Sequence, residues 1–390
     1  MSRIFIAGMG AVSPAGWTVA ALREALEKGE SLPTQLVERP GWEKPLRMRL
    51  VPNPATRPEF LAHPRLRRTS PIAHYVVATA LEATTALRAN QKLKHRLGLV
   101  VCLQSGCVNY SCRFFDETLK DPATASPLLF PETVYAAPAS HVAAVLENVT
   151  LASTLVGDPA SFLQGVAVGV QWLEEDRVDA CLVIGAEETN WILADALWRL
   201  ERSAVLTAGA GALCLCREVK LSSGVELAAI TDAQTYSSTI NRTQAARAMR
   251  EQLDQSTLLE PGRAELPLGP AARQRRPTIG HGPDAHPPLD VETSQELLCD
   301  GIGNNPRTDA PELAAWRDWT GQRISLKHIL GEGLMAAAAW QCVAACDAVG
   351  CGRFDAANVS LVGSNQQAMG ARFTGISRLS AGNPWGNIRS

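Results

Sequence analysis

The segment DACLVIGAE, residues 179–187, places seven apolar or small residues between its two acids. A run this short and this uniformly apolar has no polar face, so as a strand it needs cover on both sides. LGLVVCL (97–103) and the ALCLC centre of 204–218 have the same character, and RIFIAGMGAV (3–12) opens the chain as a further strand. Helical patterns separate these strands, at 18–29, around 71–89 and at 160–175. Two-faced strands alternating with helices predict an α/β chain rather than a sandwich or a bundle.

The second half repeats the grammar: strand 225–237, helix 242–254, a segment ending QELLCDGIG, helix 333–348 and strand NVSLVGSN. The expected organisation is therefore duplicated, with an N-terminal half over 1–220 and a C-terminal half over 221–390. Residues 255–290, rich in Pro, Gly, Arg and His, read as a surface loop insertion in the second half, with His281 and His286 as loop histidines without a ligand cluster.

Charge narrows the function classes. The 37 Lys+Arg and 39 Asp+Glu leave a net charge of −2, which argues against nucleic acid bound by bulk electrostatics. Arg273, Arg275 and Arg276 form a local basic cluster in the inserted loop, a solvated charge run or a docking patch for an acidic partner. No charged-then-apolar leader and no membrane-length apolar run is present, so no membrane role is expected. Ten cysteines lie scattered, several inside apolar strands, which reads as reduced thiols in a cytoplasmic protein. Cys107-x4-Cys112 and Cys342-x3-Cys346-x4-Cys351 lack histidine at ligand spacing, so neither metal nor cofactor is expected.

Six segments, in order, resemble the β-ketoacyl synthase family, whose fold is the thiolase fold. These are IFIAGMGAVSPAG, the run FPETVYAAPASHVAAVLENVTLASTLVGDPAS, DACLVIGAEET, TAGAGALCLCRE, CDGIGNNPRTDAPELAAW and ISLKHILGEGLMAAAAW. They resemble, respectively, the family's opening glycine-rich strand, the approach to its nucleophile elbow, its Gly-Gly-x-Glu strand, Glu-Gly-Ala-Gly-Ala, the His-Gly-Thr-Gly-Thr loop and the Lys…His segment. The resemblance implies a duplicated, five-layered αβαβα architecture.

An active member carries Cys at the elbow and His in each of the last two segments. Here the three positions hold Pro159, Asp300 and Glu332, while the lysine is kept as Lys327. Asp158 and Pro159 form a good N-cap and first helical position, so a helix start is expected there. Its dipole would depress a thiol pKa, but proline offers nothing to activate. A malonyl carboxylate and a developing enolate need donors or positive charge, which ionised Asp300 and Glu332 would not supply. Lys327 is expected to neutralise Glu332 in a structural pair. In the C-terminal loop VGSNQQAMG, Gln366 and Gln367 stand where the family has a gating phenylalanine.

The resemblance thus implies a pseudoenzyme similar to chain length factors, the inactive partners of catalytic ketosynthase subunits in type II polyketide, aryl polyene or fatty-acid-like biosynthesis. Its partners would be an active β-ketoacyl synthase and an acyl carrier protein, the latter contacted by Arg273, Arg275 and Arg276. TLASTLV (150–156) would pair across a twofold axis. Phe114, Phe115, Phe130 and Tyr135 would shape the acyl tunnel or interface, or else pack the core. Pro159 itself departs from the Gln common in chain length factors. Two alternatives stay open: an acyl-transferring enzyme using Ser161, Cys107 or Cys181, with Ser161 otherwise a solvent-facing or capping hydroxyl, and a homodimeric scaffold that holds a carrier protein.

Overall fold

The computed structural model describes residues 3–89, 96–218, 220, 223–258 and 295–376. The apolar segments become strands buried along their whole length: Leu97–Leu103, Ala180–Glu187 and Gly209–Cys216. They lie in the interior of one half of a continuous mixed sheet, in the order Val149–Val156, Leu97–Leu103, Ala180–Glu187, Gly209–Cys216, Ile4–Val12. The other half runs Gln322–Ser325, Glu296–Asp300, Ala356–Val362, Gln367–Gly375, Val225–Ile230.

The two halves share one topology. In each, the third strand in sequence is outermost, followed by the second, fourth, fifth and first. Outer pairings are parallel and inner ones antiparallel in both. The halves join where Ile4–Ile6 pairs antiparallel with Val225–Leu227. The α/β, thiolase-type duplication expected from sequence is therefore present in the strand order itself.

Helices Ser161–Glu174 and Met335–Gly350 lie within the largest apolar cluster, which takes side chains from both half-sheets. Met335 to Val349 is buried throughout, which the run of alanines makes feasible by letting the helix approach closely. Gly211 is required for that approach, since a Cβ there would lie 2.8 Å from the Ala339 Cβ. Trp340, fully buried, donates its indole N–H to the carbonyls of Val12 (3.0 Å) and Ala210 (2.9 Å). Pro71–Ala83 and Ala137–Leu146 cover the outer face of the first half-sheet. Thr239–Leu258 and Pro306–Ala315 cover that of the second, completing five layers.

Several expected boundaries shift. The helix around 71–89 divides into Pro71–Ala83 and Thr85–Ala89. The strand over 204–218 is interrupted at Ala208, before Gly209 at φ 148°, leaving Leu206–Thr207 to pair with Leu46–Arg49. The strand over 225–237 stops at Ile230 and resumes only as Gln234–Thr235. All ten cysteines are free, eight of them buried. Among the described residues no helix is long and apolar enough to cross a membrane.

Candidate functional site

The chain turns from Val149–Val156 into the central helix through Gly157–Ser161. Backbone bonds from Ser161 N to Asp158 O (2.9 Å) and from Phe162 N to Pro159 O (3.1 Å) make this a tight, three-residue turn. The regular helix begins at Ser161, with Ala160 as its N-cap. This corrects the expected start at Asp158–Pro159, and the reason is long-range. The Asp158 carboxylate accepts the backbone N–H of Gln366 at 3.0 Å, binding the loop after Ala356–Val362. Burial raises the Asp158 pKa, and backbone N–H groups from Gln366, Asn365 and Gln367 work against that rise.

Ser161 is buried rather than solvent-facing. Its hydroxyl accepts from Gln367 Nε2 at 3.2 Å, and Gln367 Oε1 accepts from Gln164 Nε2 at 3.0 Å. An amide, not an imidazole, faces the hydroxyl, and an amide cannot remove its proton.

Asp300 ends its strand fully buried, with Arg323 Nε 3.3 Å from Oδ2 and Ile302 N–H donating to Oδ1 at 3.2 Å. Burial raises its pKa, against the Ser325 hydroxyl, the Ile302 N–H and the Arg323 charge. Behind it, Glu312 accepts Gly301 N–H at 3.1 Å. The Glu312 pKa is raised by burial and by Asp300. Two buried carboxyls, Asp300 and Glu312, thus lie close enough for each to raise the other's cost of ionising.

Lys327 Nζ lies 2.7 Å from Glu332 Oε2, with side chains 11% and 10% exposed. This is the structural pair expected from sequence. Burial disfavours the lysine's charge, but Glu332, Glu312 and Glu201 together hold its pKa above the ordinary value. The Glu332 backbone is fixed by bonds to Val205 O (2.8 Å) and from Thr207 N (2.9 Å). Its Oε1 accepts Leu334 N–H at 2.8 Å, across a turn that puts Leu334 at φ 50°. A branched residue in that region costs energy, so the turn is over-determined by its surroundings.

The structure adds groups that sequence reasoning missed. Arg242, buried, donates to Arg307 O and Ser364 O at 2.6 Å each, and Tyr236 Oη donates to Gly363 O. With Asp158 these pin the loop that holds Gln366 and Gln367. Glu187 accepts N–H groups from Gln104 and Ser105, while Glu188 accepts from Ser70 Oγ, Ile72 N and Asn109 N. The acidic pair at the end of the Ala180–Glu187 strand thus fastens the Gln104–Ser105 bend and the starts of helices Pro71–Ala83 and Val108–Lys120. Burial pushes Glu187 up to about 8. No local pattern marks Arg242 or Tyr236; only the paired acids were visible.

No family model matches the sequence, and no curated protein matches it. Solved structures do. A β-ketoacyl synthase from Burkholderia phymatum superposes with TM-score 0.72 at 15% identity, over 97% of this chain and 100% of that one. The ishigamide ketosynthase/chain length factor gives 0.71 at 15%, over 96% and 100%. A type II polyketide acyl carrier protein in complex with its ketosynthase, bound to the hexaketide, gives 0.68 at 13%, over 96% and 99%. The fold is the ketosynthase fold.

Within that ketosynthase fold the remaining candidates scatter. Cys107 is buried at the start of helix Val108–Lys120, its thiol pKa driven up by burial and by Glu188, Glu132 and Glu187. Burial pushes Cys181 up to about 12. Neither meets the requirement for a nucleophilic thiolate. Phe114 and Phe130 touch, ring centroids 5.6 Å apart, while Phe115, Phe130 and Tyr135 are exposed and so do not pack the core of this chain. Val149–Val156 is a terminal strand, hydrogen-bonded on one side to Leu97–Leu103. Arg273, Arg275 and Arg276, with His281 and His286, lie outside the described residues. Among the described residues no group of three or more His, Cys, Asp or Glu is placed to hold a metal ion.

Proposed function

We propose that this chain is a non-catalytic ketosynthase-like subunit, similar to a chain length factor, that assembles with an active β-ketoacyl synthase. The pathway would be type II polyketide, aryl polyene or fatty-acid-like biosynthesis. The observation that carries this reading is the closed Lys327–Glu332 pair at a position where an imidazole would serve chemistry. Asp300 beside Arg323 and Pro159 in the tight turn support it. A pocket that binds cations to its own carboxylates has no free positive charge for a malonyl group.

The exposed edge of Val149–Val156 and the exposed Phe115, Phe130 and Tyr135 favour a partner chain on that side, where bulk would set the length of an acyl tunnel. Arg273, Arg275 and Arg276 are proposed contacts for an acidic acyl carrier protein. Ten free thiols fit a reducing, cytoplasmic setting.

The test is co-expression with a ketosynthase that carries intact Cys and His residues, followed by size-exclusion chromatography and product analysis. A 1:1 complex whose product length shifts when Phe130 or Tyr135 is cut to Ala is expected. Exclusive homodimers, or stoichiometric acylation of a residue of this chain, overturn the proposal.

A further inference from the structure

A concave site that does not include Pro159 lies on the small sheet formed by Gln35–Val37, Leu46–Arg49 and Leu206–Thr207. It is a cavity of about 450 Å³ between that sheet and helix Trp191–Leu200. Arg39, Lys44, Arg47 and Arg202 line it, and no described carboxylate does. In a chain of net charge −2 this concentration of cations is a local anomaly.

Arg39 is the centre of the site. It is only 6% exposed, and its Nε has no hydrogen-bond partner. Its guanidinium lies 4.1 Å from the ring of Trp42 and 5.3 Å from that of Trp198. Asp195 is its one acidic neighbour in an ion pair and is shared with Arg199 at 2.8 Å. Nε and Nη2 are sealed from solvent, so Arg39 acts on the cavity through its charge, which is only partly neutralised by an Asp195 shared with Arg199. The flanking indoles restrict the guanidinium, so little ordering entropy opposes an anion held close to its charge.

The structure assigns this cavity to a small phosphate monoester carried on an apolar body. Four lining cations exceed what one carboxylate neutralises, whereas a phosphate monoester carries about −1.5 to −2 at neutral pH and three acceptor oxygens. Ala194, Ala204 and Leu206 supply an apolar wall for the rest of the molecule. The lining residue Val205 also accepts the Glu332 N–H through its carbonyl, which ties the cavity wall to the segment that carries the Lys327 pair. The inference does not depend on the pairing proposed above, because every group it uses belongs to this chain.

The test titrates the full chain with phenyl phosphate, read by tryptophan emission and by calorimetry. Saturable 1:1 binding is expected with a Kd of about 1 mM or tighter, and benzoate at least about tenfold weaker. Lys44→Gln and Arg202→Gln, both at exposed rim positions, should each weaken binding about three- to tenfold with unchanged melting temperature. Arg39→Gln should abolish it. Absence of saturation by about 10 mM, equal affinity for benzoate, or undiminished affinity in both rim variants overturns the assignment.

Discussion

Replacing Lys327 by Met removes the cation that faces Glu332, Glu312 and Glu201. The change keeps side-chain volume but leaves Glu332, 10% exposed, without its ion-pair partner at 2.7 Å. Breaking a buried pair from one side costs about 3–5 kcal/mol, because the remaining charge keeps its desolvation penalty. Unfolding entropy near about 2.1 cal/mol/K per residue, over 390 residues, gives about 0.8 kcal/mol/K, so the melting temperature should fall by about 4–6 °C. Glu332→Gln should cost less, about 1–2 kcal/mol, since Lys327 keeps Glu312 and Glu201 while the amide still accepts the Leu334 N–H. The double variant should recover at least half of the loss caused by Lys327→Met. Differential scanning calorimetry with urea denaturation of all four proteins forms the cycle. Strictly additive effects, or a Lys327→Met shift below about 1 °C, would refute the view that this lysine neutralises a buried acidic cluster.

Three further outcomes follow from the same geometry. Glu187, held near 8 in the fold against an ordinary 4.5, keeps its proton where the unfolded chain loses it; its contribution is full below about pH 4.5 and declines by about 1.4 kcal/mol per unit up to about 8, so Glu187→Gln should flatten the urea-midpoint decline over that window. In the native protein, Ellman's reagent should react promptly with Cys351 and Cys112 and with the other eight thiols only after unfolding; fast labelling of Cys107 would contradict its burial. Pro159→Cys alone should give no malonyl decarboxylation above background in a carbon dioxide release assay, because Glu332 and Asp300 stay paired with Lys327 and Arg323 and leave neither an imidazole donor nor a free cation for the carboxylate or enolate.

The strands of this fold were legible because a segment such as Ala180–Glu187 is apolar on both faces and fits only the middle of a layered sheet. The Lys327–Glu332 pair was legible because a short helix and a tight turn bring the two side chains together within one local segment. The start of the elbow helix was not. Asp-Pro has the local character of an N-cap, but the Asp158 side chain is drawn to the N–H of Gln366, more than two hundred residues later, and local propensity yields to that contact. Arg323, Arg242 and Arg39 carried no signal for the same reason. An arginine in sequence is a surface residue by default, and only the fold shows which ones meet a buried carboxylate, a row of carbonyls or two indoles.

On the non-catalytic reading proposed above, Pro159, Asp300 and Glu332 differ from what unconstrained drift would leave. A reactive residue lost without compensation tends to expose an unsatisfied buried group or an unfilled volume, both of which destabilise. Here each replacement has a matching feature. Glu332 meets Lys327 and the Leu334 N–H, Asp300 meets Arg323 and the Ile302 N–H, and Pro159 stands in a turn whose carbonyl accepts from Phe162. The loop that holds Gln366 and Gln367 is tied down by Asp158, Tyr236 and Arg242 together. Rigidity at that loop and internal charge pairing both suit the fixed wall that the proposed role requires. Under that proposal, stability gained at the expense of activity is the pattern expected of a duplicated α/β fold retained for what it assembles with.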